Sequence, residues 1–325
     1  MLGLVVATAL LLALLFLSVM IGSKAIAPSV VWDALFHPSA EIDQFAIRDY
    51  RVPRTIVGLV VGIALGVSGA LIQALTRNPL ADAGILGVHA GASFAVTVAV
   101  GVLGVRDISG YMWFAFLGAL IVTLMVLALG TTRRGQSPVV MVLAGVCVGA
   151  VLGGAREALQ LTNSDAFDAM RSWNAGSILG RPLDVVWPIL PFFAVALILV
   201  FMVSGSLNAM ALGDELAAAQ GVSLARTRIL AIVALTLLAG GATAIAGPIG
   251  FVGLMVPHVA RWFVGPDQRW ILVYSVLLAP SLLLASDILG RVVIRPSELP
   301  VGIVTAFVGA PMLIALVRRK KASGL

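Results

Sequence analysis

A chain of 325 residues that is 60% hydrophobic and only 11% charged carries too few charges to clothe a soluble surface of its size. Its net charge of +6 arises from 21 Lys+Arg and 15 Asp+Glu scattered between apolar runs, a pattern of membrane topology and not of a nucleic-acid-binding patch. The single cysteine, Cys147, excludes an intrachain disulfide and a thiolate metal cluster, and its apolar setting predicts a small buried residue.

Apolar stretches close to spanning length recur at about 2–21, 54–75, 89–105, 112–130, 138–160, 185–204, 229–247, 270–289 and 300–317, and a short piece at 250–264 brings the expected number to ten. The first, Leu2–Ile21, has no basic segment ahead of it and no small-residue cleavage pattern behind it, so it is expected as a retained helix. The polar connection from Lys24 to Arg54 holds short amphipathic material around Val30–Phe36. Within the second span, Gly58, Gly62 and Gly66 share a helical face and predict close backbone packing; Gly145, Gly149 and Gly153 repeat the pattern later.

The run NPLADAGILGV, 78–88, is a turn and re-entry signal: Pro79 lacks an amide hydrogen, Asn78 suits a local cap, and Gly84 and Gly87 permit a tight bend. Where the fifth span ends, Arg156, Glu157 and Gln160 are unusually polar. They either touch cargo at an outer mouth or simply meet water, and Arg156 and Glu157, as helical neighbours, are expected to point apart. The connection 161–184, with Asp165, Asp168, Arg171, Trp173 and Arg181, is expected as a small surface helix.

The connection 205–228 reads as two short helices separated by Gly221. Asp214 and Glu215 open a helix where the dipole favours acids, Ala217–Ala219 keep it slim, and Arg226 and Arg228 mark the return to the membrane. The run GPIGFVGLMVPHVAR, 247–261, is apolar enough for a bilayer yet broken by Gly250, Gly253 and Pro257, the kind of irregular backbone that membrane proteins keep only inside a packed core or beside a cavity. His258 stands without a second histidine or cysteine near it, so no metal shell is expected; a structural or interface role is.

Ten crossings place both termini on one side, which Arg318, Arg319, Lys320 and Lys321, with Arg133 and Arg134, mark as cytoplasmic. Arg48, Arg51 and Arg54 then fall outside, against the charge rule: either the topology is wrong or those arginines have a task there. No Walker-type loop is present, so any ATP hydrolysis belongs to another chain.

Five motifs in order, RVPRT (51–55), SGALIQALTRNPLADAGILGVHAGA (68–92), GDELAAAQGV (213–222), GPIGFVGLMVPHVAR (247–261) and ELPVGIVTAFVGAPMLI (298–314), resemble the FecCD/BtuC-like permeases of ABC importers for iron–siderophore, haem and vitamin B12. The resemblance implies an all-α, ten-helix BtuC-like permease fold in one transmembrane domain, 1–325, lodged in the bacterial inner membrane. It implies a second permease subunit, identical or related, around a central path lined chiefly by the fifth and tenth helices. Two cytoplasmic ATPase subunits that use ATP and Mg, and an extracytoplasmic binding protein, complete the expected assembly; the chain itself binds no cofactor and catalyses nothing. By the same resemblance Asp214, Glu215, Ala218, Gly221 and Val222, within a coupling segment of about 205–228, meet the ATPase, while Arg51 and Arg54, with Arg48 and either Arg295 or Arg291 less firmly, receive the binding protein. Asp82 either caps the following helix or contacts the ATPase. The implied cargo is a ferric siderophore, with haem or cobalamin as alternatives and an ion-coupled transporter using Asp287 or Glu157 as the rival class.

Overall fold

The structure, a computed structural model, describes residues 2–37, 41–132, 135–136 and 138–322. Its helices are α1 (Leu2–Met20), α2 (Pro28–Phe36), α3 (Ile42–Phe45), which passes through a π-helical turn (Ala46–Arg51) into α4 (Val52–Thr76), α5 (Val88–Gly101), α6 (Ile108–Gly130) and α7 (Pro138–Thr162). They continue as α8 (Ser164–Trp173), α9 (Leu190–Ala211), α10 (Asp214–Ala219), α11 (Leu224–Ala246), α12 (Val252–Val264), α13 (Gln268–Val293) and α14 (Val301–Ala322). The one sheet among the described residues is a two-residue hairpin, Thr131–Thr132 with Gly135–Gln136. The fold is all-α and polytopic. Seven helices are long and apolar enough to cross a bilayer; Val88–Gly101, Val252–Val264 and the apolar part of α14, Val301–Ala315, are shorter. Seven of the ten expected spans are therefore helices of spanning length, and the remaining three coincide with helices too short to be counted among them.

Two helices make the centre. α4 and α11 are buried along most of their length, whereas α1 and α7 are exposed along most of theirs. The glycines of α4 explain how α13 comes so near: a Cβ on Gly62 would lie 2.4 Å from Pro280 Cα, and one on Gly66 would lie 2.3 Å from Ala279 Cβ. Further along, Gly69 meets the Gly253 carbonyl of α12. Lipid offers no hydrophobic drive to press helices together, so small residues that let backbones touch supply dispersion contact instead. The second glycine series behaves differently. Gly145 packs on the Ile85 carbonyl, but nothing lies within 4 Å of a Cβ on Gly153.

Cys147 is exposed, contrary to the buried position expected, because α7 packs through one side against α5 and α6 and leaves its other side uncovered. The segment expected as two short helices at 205–228 contains one, since α9 continues to Ala211 and α11 begins at Leu224. Arg226 therefore sits in the first turn of α11 and Arg228 just beyond it. The surface helix expected in 161–184 is α8, but its face is docked: Ala166, Met170 and Trp173 are fully buried. Asn163 fixes its start by accepting from Ala166 N at 2.9 Å and donating to the Gly101 carbonyl at 2.9 Å.

The broken stretch before α12 is a bend in which Gly247 (φ +74°) and Phe251 (φ +69°) take left-handed backbone. At Gly247 a Cβ would stand 2.2 Å from the Trp173 carbonyl, so glycine is required twice over, by φ and by space. Pro257 lies inside α12 and is buried. Hydroxyls in the helix interiors, among them Thr97, Thr123, Thr236 and Thr243, donate to carbonyls four residues back, which satisfies them where water is absent.

Candidate functional site

At one end of the bundle α10 stands between α9 and α11 on two glycine hinges, Gly213 (φ +119°) and Gly221 (φ +82°). Its termination is built from the backbone: Val222 N donates to the Ala217 carbonyl at 3.0 Å and Gly221 N to the Ala218 carbonyl at 2.9 Å, the paired closure that a left-handed glycine allows. Asp214 anchors its start. One carboxylate oxygen accepts from Arg77, just beyond α4, and the other accepts from Arg228 in α11 at 2.5 Å. Burial pulls this carboxyl upward, but the hydrogen bonds and charges of Arg228 and Arg77 outweigh it and hold Asp214 below the ordinary carboxylate range. Only Ala217 of α10 is buried; Glu215, Leu216, Ala218 and Ala219 face outward. The result is a short, rigid, exposed helix braced to two central helices.

Beside it, the turn after α4 follows the sequence closely. Asn78 Oδ1 accepts from Leu80 N at 3.0 Å ahead of Pro79, and Asp82 Oδ1 accepts from Gly84 N at 2.8 Å. Asp82 is thus a cap, one of the two roles left open for it. Gly87 (φ +79°) turns the chain into α5. Gly253 is buried against α4, Gly250 lies in the bend, and the ring of His258 meets Trp262 edge-on at 5.5 Å. Gln73 of α4 ties these parts together. Its amide donates to the Gly253 and Leu254 carbonyls at 3.3 and 3.1 Å, and its oxygen accepts from Arg261 Nη1 at 2.6 Å.

The opposite end holds a buried charge network. Arg54 donates to Asp287 Oδ1 through Nε and Nη2 at 3.1 and 2.7 Å, and through Nη1 to Glu298. Arg291 donates to Asp287 Oδ2 through Nε at 3.0 Å, to the Ser18 and Ile21 carbonyls through Nη1 at 2.6 and 2.8 Å, and to Ser18 Oγ at 3.0 Å. Arg51 reaches the Val19 and Met20 carbonyls at 3.1 and 2.7 Å and the Lys24 carbonyl at 2.7 Å. Two guanidinium groups therefore satisfy the orphan carbonyls at the C-terminus of α1, where the helix dipole favours cations. Glu298, in the connection before α14, is drawn upward by burial, but the hydrogen bond and charge of Arg54, with Ser23 and Arg291, hold it below its ordinary range.

This placement changes the picture of the four expected docking arginines. Arg51 and Arg54 are only 7% and 6% exposed and their guanidinium groups are spent inside the chain, because a bare charge at that depth is costly. Arg48 is exposed, and Arg295 is exposed while touching the Gly22 carbonyl at 3.3 Å. On α7, Arg156 and Gln160 are half-buried and Glu157 is exposed; contrary to the expectation that neighbours point apart, Arg156 Nη2 comes within 3.6 Å of Glu157 Oε1. Long side chains can fold back over one turn. Sequence reasoning missed the bracing roles of Arg77, Arg228 and Gln73 and the joining of Arg54, Asp287, Arg291 and Glu298. The available signal was Asp287 and Arg291 at i, i+4 inside an apolar span, a pair that invites a buried partner.

Many apolar helices of spanning length around a close-packed centre, with an exposed helix braced at one end, fit a transport subunit. The chain belongs to the FecCD transport family, whose model matches residues 10–319, and it is a non-catalytic permease subunit of an ATP-binding-cassette importer. It is 47% identical over 313 residues to the ferric enterobactin transport system permease protein FepD of Escherichia coli (strain K12), covering 95% of this chain and 92% of that one. It is 37% identical over 309 residues to the iron(3+)-hydroxamate import system permease protein FhuB of Bacillus subtilis (strain 168), covering 94% and 80%. Among solved structures, a metal-chelate-type ABC transporter in an inward-facing conformation superposes with TM-score 0.84 at 27% identity, covering 97% of this chain and 98% of that one.

Proposed function

We propose that this permease imports ferric siderophore complexes, receiving them from an extracytoplasmic binding protein and passing them inward by alternating access. Relatives named for ferric enterobactin, hydroxamate and ferric citrate transport support that cargo class. The α10 end is cytoplasmic and takes the ATPase: Arg77, Arg226, Arg228 and Arg269 stand there with Asp82, Asp214, Glu215 and Asp267, and chain order assigns the Arg133–Arg134 pair and the Arg318–Lys321 run to the same side. That bias fits the positive-inside rule and supports a cytoplasmic position for both termini. The three shorter helices cross as well, giving ten passes in a single transmembrane domain, because close packing and tilt of neighbours can accommodate a short span.

The observation that carries the mechanism is the bracing of α10. ATPase closure pressing on Glu215, Leu216, Ala218, Gly221 and Val222 is passed by Asp214 to α4 and α11, the two central helices, as a rigid push. A second permease copy or a sister subunit covers the exposed side of α7, with Cys147 and Gly154 on it, and the path runs between them past Arg156, Glu157 and Gln160. Arg48, with Arg295, offers cations to acidic groups of the binding protein, while Arg51 and Arg54 shape that surface from beneath. The rival ion-coupled reading loses its buried acid, since Asp287 is held between two arginines. The test is uptake by the reconstituted complex supplied with radio-iron in siderophores, haem, or cobalt in cobalamin. Preference for haem or cobalamin would refute the cargo, and uptake surviving an inactive ATPase would refute the mechanism.

A further inference from the structure

Between α4, α9, α13 and the turn leaving α10 runs a groove of about 760 Å³. Val67, Val200, Phe201, Leu272, Val273 and Val276 make its wall apolar, and Ser206, Gln220 and Arg269 stand at its α10 end. Along α9 it extends from Leu197 to Ala209, roughly 18 Å at the helical rise, close to the hydrocarbon depth of one leaflet, about 15 Å. A wall of that depth ending in hydroxyl, amide and guanidinium groups has the polarity of a lipid, chain first and headgroup last.

Arg269 supplies the sign of the charge. It stands in the first turn of α13, where the helix dipole disfavours a cation and the charge of Asp267, two residues away, is the local offset. Its side chain is exposed and forms no ion pair within 4.0 Å among the described residues. The adjacent carboxylate, Asp267, is occupied in capping: its Oδ1 accepts from Asn208 Nδ2 at 2.8 Å and from Arg269 N at 2.9 Å. Space is made for the guanidinium by Gly205, where a Cβ would stand 2.7 Å from Arg269 Nη2.

We propose that this groove seats one anionic phospholipid of the inner leaflet, an acyl chain lying along α9 and the phosphate on Arg269, with Ser206 and Gln220 beside it. Gln220 caps the end of α10 and Val222 follows its glycine hinge, so the bound headgroup braces the same helix through which the ATPase acts. The site rests on the cytoplasmic placement of α10 given above, yet its readout is lipid retention, which does not depend on transport or cargo.

The test is native mass spectrometry of the whole complex taken from nanodiscs of equal parts phosphatidylglycerol and phosphatidylcholine, with hydrogen exchange of α10 followed in parallel. Wild type is expected to retain phosphatidylglycerol in preference, and Arg269→Gln to lose about fivefold of that preference, the worth of one interfacial cation. Arg269→Lys should restore most of it, and phosphatidylglycerol should slow exchange in α10 in wild type but not in Arg269→Gln. Equal retention of the two lipids by wild type, or an undiminished preference in Arg269→Gln, overturns the proposal. So does lipid kept by the permease alone and expelled from the full complex, which would mean that the ATPase covers the groove.

Discussion

Asp287 shows how a single residue can decide a local structure without touching cargo. Its two oxygens serve Arg54 and Arg291, and Arg291 also caps α1, so one carboxylate links α1, α4 and α13. Removing one partner of a buried pair strands the others: Asp287→Ala should destabilise the subunit by about 3–5 kcal/mol, measured as thermal unfolding in detergent. Arg295→Ala, at an exposed position, should cost less than about 0.5 kcal/mol. Equal melting temperatures for the two variants would mean that the network contributes nothing. Asp214 offers a pH prediction with a definite sign. Its folded pKa is lowered, so the bracing it gives is present above the unfolded carboxylate range and is lost as pH falls through the lowered folded value. Protection of the α10 amides, corrected for intrinsic exchange, should therefore drop only in acid for wild type and be low at every pH in Asp214→Asn.

Among the helices, the glycine positions separate contacts made within the subunit from surfaces left for others. Gly62→Ala forces a methyl against Pro280 Cα and should cost about 1–3 kcal/mol, whereas Gly153→Ala, facing open space, should leave the isolated subunit unchanged. If α7 lies against a second permease, Gly154→Leu, on its exposed face, should weaken subunit pairing without lowering the melting point of the dissociated chain; unchanged pairing would remove α7 from the interface. For α10, Glu215→Lys with Leu216→Asp changes only outward-facing side chains and spares the Asp214 anchor. This pair should insert and fold normally, yet lower coupled uptake by tenfold or more, about the value of one lost contact of 1.4 kcal/mol. Normal coupled uptake would show that the ATPase docks elsewhere.

Over the whole molecule, the orientation proposed from the charge bias is open to a direct test. In a Cys147→Ala background, a cysteine at Glu215 should react with a membrane-impermeant maleimide only from the cytoplasmic side, and one at Arg48 only from outside. Reversed labelling would invert the topology and move the ATPase site to the other end of the bundle.

Much of this protein was legible in its residues because a bilayer imposes simple rules. Apolar runs must become helices, the four-spaced glycines of α4 face a close neighbour, and Gly221 after an alanine run ends a short helix. Hence the all-α class, the α4 strip, the α10 segment and the family motifs all followed from local pattern. Partnership across the fold did not, since Arg54 and Asp287 are 233 positions apart and nothing in either neighbourhood names the other. The sequence alone determined the all-α class and where most helices form, because those depend on a residue and its solvent. Only the tertiary structure decided which arginines are surface and which are scaffold, because burial is a property of the packed neighbours and not of the side chain.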